Sequence, residues 1–489
     1  MSMMTIFSKM LGFMLLLNAH PIKANSPNIV LVLTDDLDLQ LDGMTPLLKT
    51  RSRLKNQGRT YKNAFATTPI CCPSRSSILT GLRQDHTRVW NNSLSGNCGN
   101  QDWIKGHESS TFATYANKYN YKTAYFGKYL NQYGRTEKDP LRIPKGWDHW
   151  VGLVGNSKYY NYTLSVNGHP ERHGDDYEKD YLTDVIKRKS LDFLKSHLES
   201  SSSAKNPFLM VLAPPSPHAP FTPAPQYSNR FSDLKAPRIP NFNYVRDIKH
   251  WLARKDPLSN QLIDIIDEVF RNRWRTLLSV DDLVDEVMEF LDQKVTLIYL
   301  IYNVLSNTYV IFTSDHGYHL GQYGLVVDKR MPYETDIRIP FFLYGPGIQP
   351  STESKDVILN IDIAPTILDM MNVREKEYSW MDGSSILRQN SRNEFQIEYH
   401  GEHGSGIDKT CNIQDRNVNN CYSLFGCNCQ DSKNNTYICK RKLDDENNFK
   451  HCWFRDAENF EEIYDLSKDP YELYNLYNYM AEPQVNIVK

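Results

Sequence analysis

The sequence predicts an α/β fold: a large mixed sheet flanked by helices, followed by a smaller C-terminal α+β subdomain. Three apolar runs are typical of buried central strands, and each ends close to an acid or a histidine. Segments with helical spacing lie between them, which favours a doubly wound sheet. From about residue 394 the chain becomes rich in asparagine and contains six cysteines, which indicates a separate, smaller unit.

The three strands are predicted at residues 28–34, 208–212 and 309–313. Their β-branched and leucine residues follow one another without polar interruption, as in strands buried on both faces. Ligand sites in open α/β sheets form at the carboxyl ends of the strands, so the polar residues that follow are candidate site residues. These residues are Asp35, Asp36, His218, Asp315 and His316.

Helices are predicted at residues 111–118, 181–198 and 270–291, where apolar side chains recur at helical spacing. The apolar stretch 295–305 comes directly after the last of them. It could extend that helix or be an insertion, and the sequence leaves both readings open. Residues 200–204 are predicted to form a loop, and the proline-rich segment 213–240 should follow the surface near the site.

Chain length and net charge limit the size of the domains and the classes of ligand that this protein can bind. A chain of 489 residues with 40% hydrophobic residues can form a large domain and a smaller one. The formal net charge is -2, from 56 basic and 58 acidic residues. This balance argues against nucleic-acid binding by bulk charge, so an anionic substrate must be recognised by a local cluster.

The first residues resemble a secretory signal peptide. Lys9 precedes an apolar run at 10–17, and small residues follow. The run is too short to span a bilayer, so no membrane span is expected. We predict a signal peptide at 1–24, a catalytic domain at 25–393 and a cysteine-rich subdomain at 394–489.

Two further features fit an exported chain. Asn91, Asn161 and Asn434 each begin a triplet that can accept an N-linked glycan. Six of the nine cysteines are close together and predict a disulfide-stapled region of undetermined pairing, because their spacing suits zinc poorly. They are Cys411, Cys421, Cys427, Cys429, Cys439 and Cys452.

The segment from Cys71 to Gly81 is the most specific motif of the chain. It contains Cys71-Cys72-Pro73-Ser74-Arg75 and ends in Leu79-Thr80-Gly81. Taken alone, Ser74 could simply cap a helix. The full motif resembles the signature of the type I sulfatase family, in which a separate formylglycine-generating enzyme oxidises the first cysteine to formylglycine. The resemblance implies an alkaline-phosphatase-like sulfatase fold and a sulfuric ester hydrolase.

The chemistry of sulfate esters explains why such a residue is useful. A thiolate would leave a thiosulfate that is difficult to release. An aldehyde hydrate offers two hydroxyl groups: one attacks the sulfur, and the other later collapses to the aldehyde and expels sulfate. The resemblance therefore implies that Cys71 is the precursor of the nucleophile.

The family resemblance also implies a calcium site. The carboxylates of Asp35, Asp36 and Asp315 are hard oxygen ligands that suit Ca²⁺ or Mg²⁺. Members of the family bind Ca²⁺ with these positions, with the formylglycine, here at Cys71, and with a further side chain that is often asparagine. That position is His316 in this chain.

Positive groups are needed to bind the sulfate oxygens. By resemblance these are Arg75, Lys128 and Lys329, with His218 near the leaving group. Many members carry a histidine two residues after the lysine that matches Lys128, whereas this chain has Leu130. The base that releases sulfate therefore stays open; Asn131 and His319 are the candidate substrate contacts in this region.

Four further segments carry a finer resemblance together with the cysteine-rich tail: residues 43–47, 90–94, 158–163 and 277–282. They resemble lysosomal members of the family that remove 6-sulfates from the non-reducing ends of glycosaminoglycans. Extracellular endosulfatases remain an alternative, but they carry a long basic insertion that this chain lacks. We therefore expect a sulfated glycosaminoglycan substrate, an acidic optimum and a lysosomal location reached through the secretory pathway, with a homodimer left open. Two other classes stay possible: a phosphatase or phosphodiesterase of the same fold, and a non-catalytic glycan-binding relative.

Overall fold

The computed structural model describes residues 26–135, 140–199, 206–254, 256–297, 300–388, 392–402, 429–432 and 434–477. Several predictions concern residues outside these ranges. They are the signal peptide at 1–24, the loop at 200–204, and the cysteines Cys411, Cys421 and Cys427.

The strands and helices alternate along the first three quarters of the chain. In the described residues the strands are β1 (Asn28–Thr34), β2 (Arg59–Phe65), β3 (Lys122–Lys128), β4 (His149–Leu153), β5 (Thr163–Val166), β6 (His169–Arg172), β7 (Phe208–Ala213), β8 (Lys294–Leu297), β9 (Leu300–Asn303), β10 (Thr308–Ser314), β11 (His319–Leu320), β12 (Val327–Asp328), β13 (Phe341–Tyr344), β14 (Thr352–Leu359), β15 (Glu394–His400), β16 (Thr436–Leu443), β17 (Asn448–Phe454) and β18 (Glu461–Asp465). The α-helices are α1 (Leu48–Thr50), α2 (Cys71–Thr80), α3 (Gln84–Thr87), α4 (Gln101–Gly106), α5 (Phe112–Lys118), α6 (Tyr177–Asp180), α7 (Leu182–Glu199), α8 (Asn260–Asp292), α9 (Glu334–Ile337) and α10 (Ile363–Met370).

The main sheet has ten strands in the order β14-β2-β13-β10-β1-β7-β3-β4-β5-β6. Its centre, from β10 to β4, is parallel. Antiparallel pairs follow on both sides, at β13 and at β5 and β6. The predicted large mixed sheet flanked by helices is therefore confirmed, and the three predicted strands are its centre.

Helices cover both faces of this sheet. Along β1, Val30 and Val32 belong to a buried cluster that includes apolar residues of α7 and α8. Ile29, Leu31 and Leu33 belong to a second cluster, which includes residues of α2, α5 and α10. Successive side chains of a strand point to opposite faces, so a strand apolar on both sides must lie between two helical layers.

A second, antiparallel sheet follows in the order β15-β16-β17-β18. Cys439 and Cys452 lie opposite each other on β16 and β17 and form a disulfide bond. The sheet packs against the main domain, since Tyr437 and Phe454 share a buried cluster with Phe65 and Ile337. The helix expected in this subdomain is not found in its described residues, which contain only a 3-10 turn at Cys429–Asp431 besides strands.

The apolar stretch 295–305 does not continue the preceding helix. Helix α8 ends at Asp292, and β8 and β9 pair as a short antiparallel hairpin. The reading as a helix extension is therefore wrong. No helix in the described part of the chain is both long and apolar enough to cross a membrane.

Candidate active site

The candidate site lies at the carboxyl ends of the central strands. Strands β1 and β10 pair in parallel with Thr34 opposite Ser314, so Asp35 and Asp315 come next on neighbouring strands. The backbone N–H of Asp36 donates to Oδ1 of Asp315 at 3.1 Å. The strand register thus brings together two acidic segments about 280 residues apart in the chain.

Cys71 is the first residue of α2 and is a free, buried cysteine. Its Sγ lies 3.4 Å from Nε2 of His316 and 3.9 Å from Oδ1 of Asp36. Burial raises the pKa of the thiol, but the positive charges of Lys128 and Lys329 more than offset this, so the pKa lies well below its usual value.

Six charged side chains around Cys71 form three buried pairs, which we call the carboxylate–cation cluster. Lys128 Nζ donates to both oxygens of Asp35, at 2.9 and 2.8 Å. Lys329 Nζ donates to both oxygens of Asp36 at the same two distances. Arg75 Nε donates to Oδ2 of Asp315 at 2.8 Å. With three negative and three positive groups, the cluster is neutral as a whole.

The three carboxyl groups differ electrostatically although all are buried. Burial raises the pKa of Asp35, but Lys128 and further cations offset this and hold it well below the usual range. Lys329 and His218 likewise lower the pKa of Asp36 against the effect of burial. For Asp315 burial prevails and raises the pKa to about 6.

The donor groups fit a divalent cation. Ligand atoms of Asp35, Asp315 and Cys71 lie within 4.8 Å of one another, as do those of Asp36, His316 and Cys71. His316 Nδ1 is 2.9 Å from the carbonyl oxygen of Gly317, which can only accept, so in the neutral ring the lone pair is on Nε2 and faces the cluster. Carboxylate oxygens suit Ca²⁺ or Mg²⁺, and an imidazole nitrogen is the less usual member of such a set.

Comparison with known proteins identifies the family. The family model described as Sulfatase matches residues 27–373. The chain belongs to the sulfatase family. It is therefore a sulfuric ester hydrolase.

Individual relatives agree with this assignment. This sulfatase is 44% identical to N-acetylglucosamine-6-sulfatase of Homo sapiens over 463 residues, which cover 92% of this chain and 81% of the human one. The goat enzyme of the same name, from Capra hircus, is 44% identical over 92% of this chain and 80% of its own. An extracellular sulfatase SULF-1 homolog of Drosophila melanogaster is 39% identical over 76% of this chain but only 32% of its own.

Solved structures share the fold at lower identity. The structure of BT4656 in complex with its substrate D-glucosamine-2-N,6-O-disulfate has a TM-score of 0.69 and 21% identity, and the match covers 92% of this chain and 93% of that one. A phosphonate monoester hydrolase from Silicibacter pomeroyi has a TM-score of 0.64 at 17% identity, with 92% and 91% covered. These likenesses show the alkaline-phosphatase-like sulfatase fold alone.

The remaining predicted residues of the sulfatase lie at different distances from the cluster. His218 Nε2 is 4.0 Å from Asp36 Oδ2, so it lies at the edge of the cluster. Asn131 Nδ2 donates to Asn156 at 3.2 Å. His319 bonds instead to Asp336 at 3.0 Å and to Gln430 at 3.3 Å, so both of its ring nitrogens are used outside the cluster.

Three residues of the site had no sequence signal. Ser157 donates its hydroxyl to Asp35. Arg273 donates to the backbone carbonyl of Asp36 at 2.8 Å from the middle of α8. Asn92 accepts a hydrogen bond from the Cys72 N–H at 2.9 Å and so caps the first turn of α2. Each acts through contacts with distant parts of the chain, and no local sequence motif marks any of them as a site residue.

The loop that holds Asn92 is also tied down covalently, since Cys72 forms a disulfide bond with Cys98. Cys98, which lies far from the six clustered cysteines in the sequence, is thus paired. The bond and the Asn92 cap both fix the loop against the first turn of α2, directly beside Cys71.

One predicted glycan site needs correction. Asn91 is fully buried, and its Oδ1 accepts from Ser93 while its Nδ2 donates to the Gly401 carbonyl at 3.4 Å. A side-chain amide enclosed in this way has no room for a glycan, so Asn91 is not an acceptor in this fold. Asn161 is exposed and Asn434 half-buried, and both stay predictions.

Proposed function

We propose that this sulfatase hydrolyses the 6-sulfate ester of N-acetylglucosamine at the non-reducing end of heparan sulfate and keratan sulfate. The observation that carries the proposal is the setting of Cys71 within the carboxylate–cation cluster. Its substrate is proposed from relatives named N-acetylglucosamine-6-sulfatase, which are 44% identical over 92% of the chain. The proposed glycosaminoglycan substrate is thus a terminal 6-sulfated glucosamine residue.

We propose that Cys71 becomes formylglycine, made by the formylglycine-generating enzyme, and that Ca²⁺ is the cation. Asp35, Asp36, Asp315 and His316 would hold the cation together with residue 71. The formylglycine would supply the attacking hydroxyl, and the cation would orient it and offset sulfate charge.

The other groups of the site act on the ester itself. The cationic groups of Arg75, Lys128 and Lys329 are placed to stabilise the charge that develops on the sulfate oxygens. His218, with 12% of its side chain exposed, lies between the cluster and solvent and can give a proton to the leaving O6. A neutral cluster that binds a divalent cation becomes positive, which favours an anionic ester.

The alternatives differ in where they act. An extracellular 6-O-endosulfatase would cut within heparan sulfate chains, and a glycan-binding relative would retain the Cys71 thiol. The balanced formal charge of -2 and the missing basic insertion favour action at chain ends. The lysosome, reached through the secretory pathway, is the proposed location, with glycans at Asn161 and Asn434. Asn131 remains a proposed substrate contact, whereas His319 does not, because Asp336 and Gln430 occupy both of its ring nitrogens.

Mass spectrometry of the tryptic peptide 63–75 tests the nucleophile. After reduction and alkylation we expect an aldehyde at residue 71 and an alkylated Cys72. Two alkylated cysteines, in protein from a host that makes formylglycine, would leave the chain without its nucleophile and favour the glycan-binding alternative.

Two heparan sulfate oligosaccharides test the substrate. One carries its only 6-sulfate on the non-reducing terminal glucosamine, and the other carries it on an internal residue. We expect sulfate release from the first alone, and none from a Cys71→Ala variant. Release from the internal position would assign the chain to the endosulfatases, and release from neither would refute the proposed substrate.

A further inference from the structure

Lys329 lies in a turn that its own residues do not favour. The residues on either side, Asp328 and Arg330, have φ angles of 118° and 84°. Positive φ is strained for residues that carry a side chain, so neighbouring groups must hold such a turn in place. Lys329 Nζ nevertheless reaches both carboxylate oxygens of Asp36, at 2.9 and 2.8 Å.

The C-terminal sheet provides the contacts that hold this turn. The carbonyl oxygen of Arg330 accepts two hydrogen bonds, from Asn435 Nδ2 at 3.2 Å and from the Tyr437 hydroxyl at 3.0 Å. Both donor side chains are fully buried. The N–H of Arg330 donates to the carbonyl of Pro69 at 3.1 Å, two residues before Cys71. The peptide groups after Lys329 are thus held between the nucleophile segment and the second sheet.

The contacts continue along the next residues. Lys450 Nζ, on β17, donates to the carbonyl of Pro332 at 2.7 Å. The N–H of Glu334 donates to Oε2 of Glu472 at 2.9 Å. Lys450, Pro332, Glu334 and Glu472 are all buried. A buried polar group without a hydrogen bond destabilises the fold, so these contacts are maintained. The second sheet and the segment that follows it therefore fix the course of the chain directly after Lys329.

We propose that Asn435 and Tyr437 are positioning residues for sulfate ester hydrolysis, because they hold the backbone from which Lys329 extends to the sulfate. This inference rests on the proposed function, in which Lys329 binds the ester. It gives the C-terminal sheet a part in the reaction, although the carboxylate–cation cluster itself is formed by residues of the main domain.

The variant Tyr437→Phe tests the inference because it removes one hydroxyl and keeps the ring. We expect kcat to fall about tenfold, with KM changed less than about twofold, since a small displacement of a group that binds the transition state acts mainly on kcat. Asn435→Ala, which keeps the triplet that begins at Asn434, is expected to act in the same way. It replaces Tyr437→Phe should that variant fold poorly.

Tyr464→Phe is the matched control. It removes an equally buried hydroxyl on β18, whose partners are Glu462 and Lys249 instead of the turn. We expect it to keep the wild-type kcat. An equal loss of kcat in Tyr464→Phe would show a general structural effect and overturn the inference.

A double-mutant cycle separates positioning from an independent contribution. In a Lys329→Ala background, Tyr437→Phe should cost no further activity, because the two residues act as one unit. Full additivity, or an unchanged kcat in both Tyr437→Phe and Asn435→Ala, would overturn the inference while the proposed function stands. A wild-type protein that cleaves no 6-sulfated glucosamine would overturn both.

Discussion

Arg75→Lys should separate activity from stability at this site. The substitution keeps the positive charge but replaces a planar group with three donor nitrogens by a single ammonium. Arg75 Nε donates to Asp315 at 2.8 Å and Nη1 to the carbonyl of Lys128 at 2.8 Å. Nη2 has no hydrogen-bond partner among the described residues and lies 3.4 Å from Asp35. In the proposed mechanism it is the nitrogen that binds a sulfate oxygen.

The structure sets the size of both effects. A lysine can keep the ion pair with Asp315, and the Lys128 carbonyl still accepts from the Tyr125 hydroxyl at 2.5 Å. The loss of stability should therefore be one buried hydrogen bond, about 1–2 kcal/mol. In the proposed mechanism the lost contact to sulfate is made where charge develops in the transition state, and removal of such a donor lowers kcat by about 100- to 1000-fold.

Steady-state kinetics on the terminally 6-sulfated oligosaccharide and urea denaturation measure the two quantities. The control is Arg392→Lys, which alters another largely buried arginine that donates Nη2 to Asp362 at 2.9 Å, outside the cluster. It should lose stability but retain activity. A folded Arg75→Lys protein with kcat/KM within about threefold of the wild type would refute the reasoning.

Three more predictions concern stability and the cation. Replacing Cys72 and Cys98 together by alanine opens a loop with a sequence separation of 26, and should cost about 3.5 kcal/mol in urea denaturation; a loss below about 1 kcal/mol would contradict this. Burial raises the pKa of Glu402 from 4.5 to about 7, so the folded state binds the extra proton and loses stability as the pH rises through this interval. Between about pH 5 and about pH 7.5 the wild-type protein should lose about 2 kcal/mol more unfolding free energy than the Glu402→Gln variant, which has no carboxyl group to titrate. The same pH dependence in both proteins would contradict the prediction. Dialysis against a calcium chelator should abolish sulfate release and lower the melting temperature, both restored by Ca²⁺, whereas full activity after dialysis would argue against the cation.

The sequence predicted the centre of the fold better than its edges. The strands at 28–34, 208–212 and 309–313 were placed to within one residue, because long apolar runs are required wherever a strand lies between two helical layers. The outer strands β2, β13 and β14 were not predicted. Strands β2 and β14 mix polar and apolar residues, whereas β13 is a run of only four apolar and aromatic residues. The pairing of all three is decided by contacts with distant parts of the chain.

The candidate site shows the same division. Residues that follow a central strand or belong to the Cys71 motif could be predicted, because topology or a dense local pattern marks them. Ser157, Arg273 and Asn92 could not, since each contributes its contacts from a loop or helix whose sequence pattern does not mark it as a site residue. Asn91 shows the opposite failure: its triplet matches a glycosylation site, but the sequence does not reveal that the side chain is buried.

The pairing of β1 with β10 has a consequence for the order of maturation. The two strands carry the two acidic halves of the site, yet Asn28 and Thr308 are separated by 280 positions, so the site closes only after most of the chain has been made. Cys71 is only 1% exposed once these strands have paired. In the proposed maturation, the enzyme that modifies Cys71 must therefore reach it before these strands meet, so the chain would acquire its nucleophile between synthesis and folding.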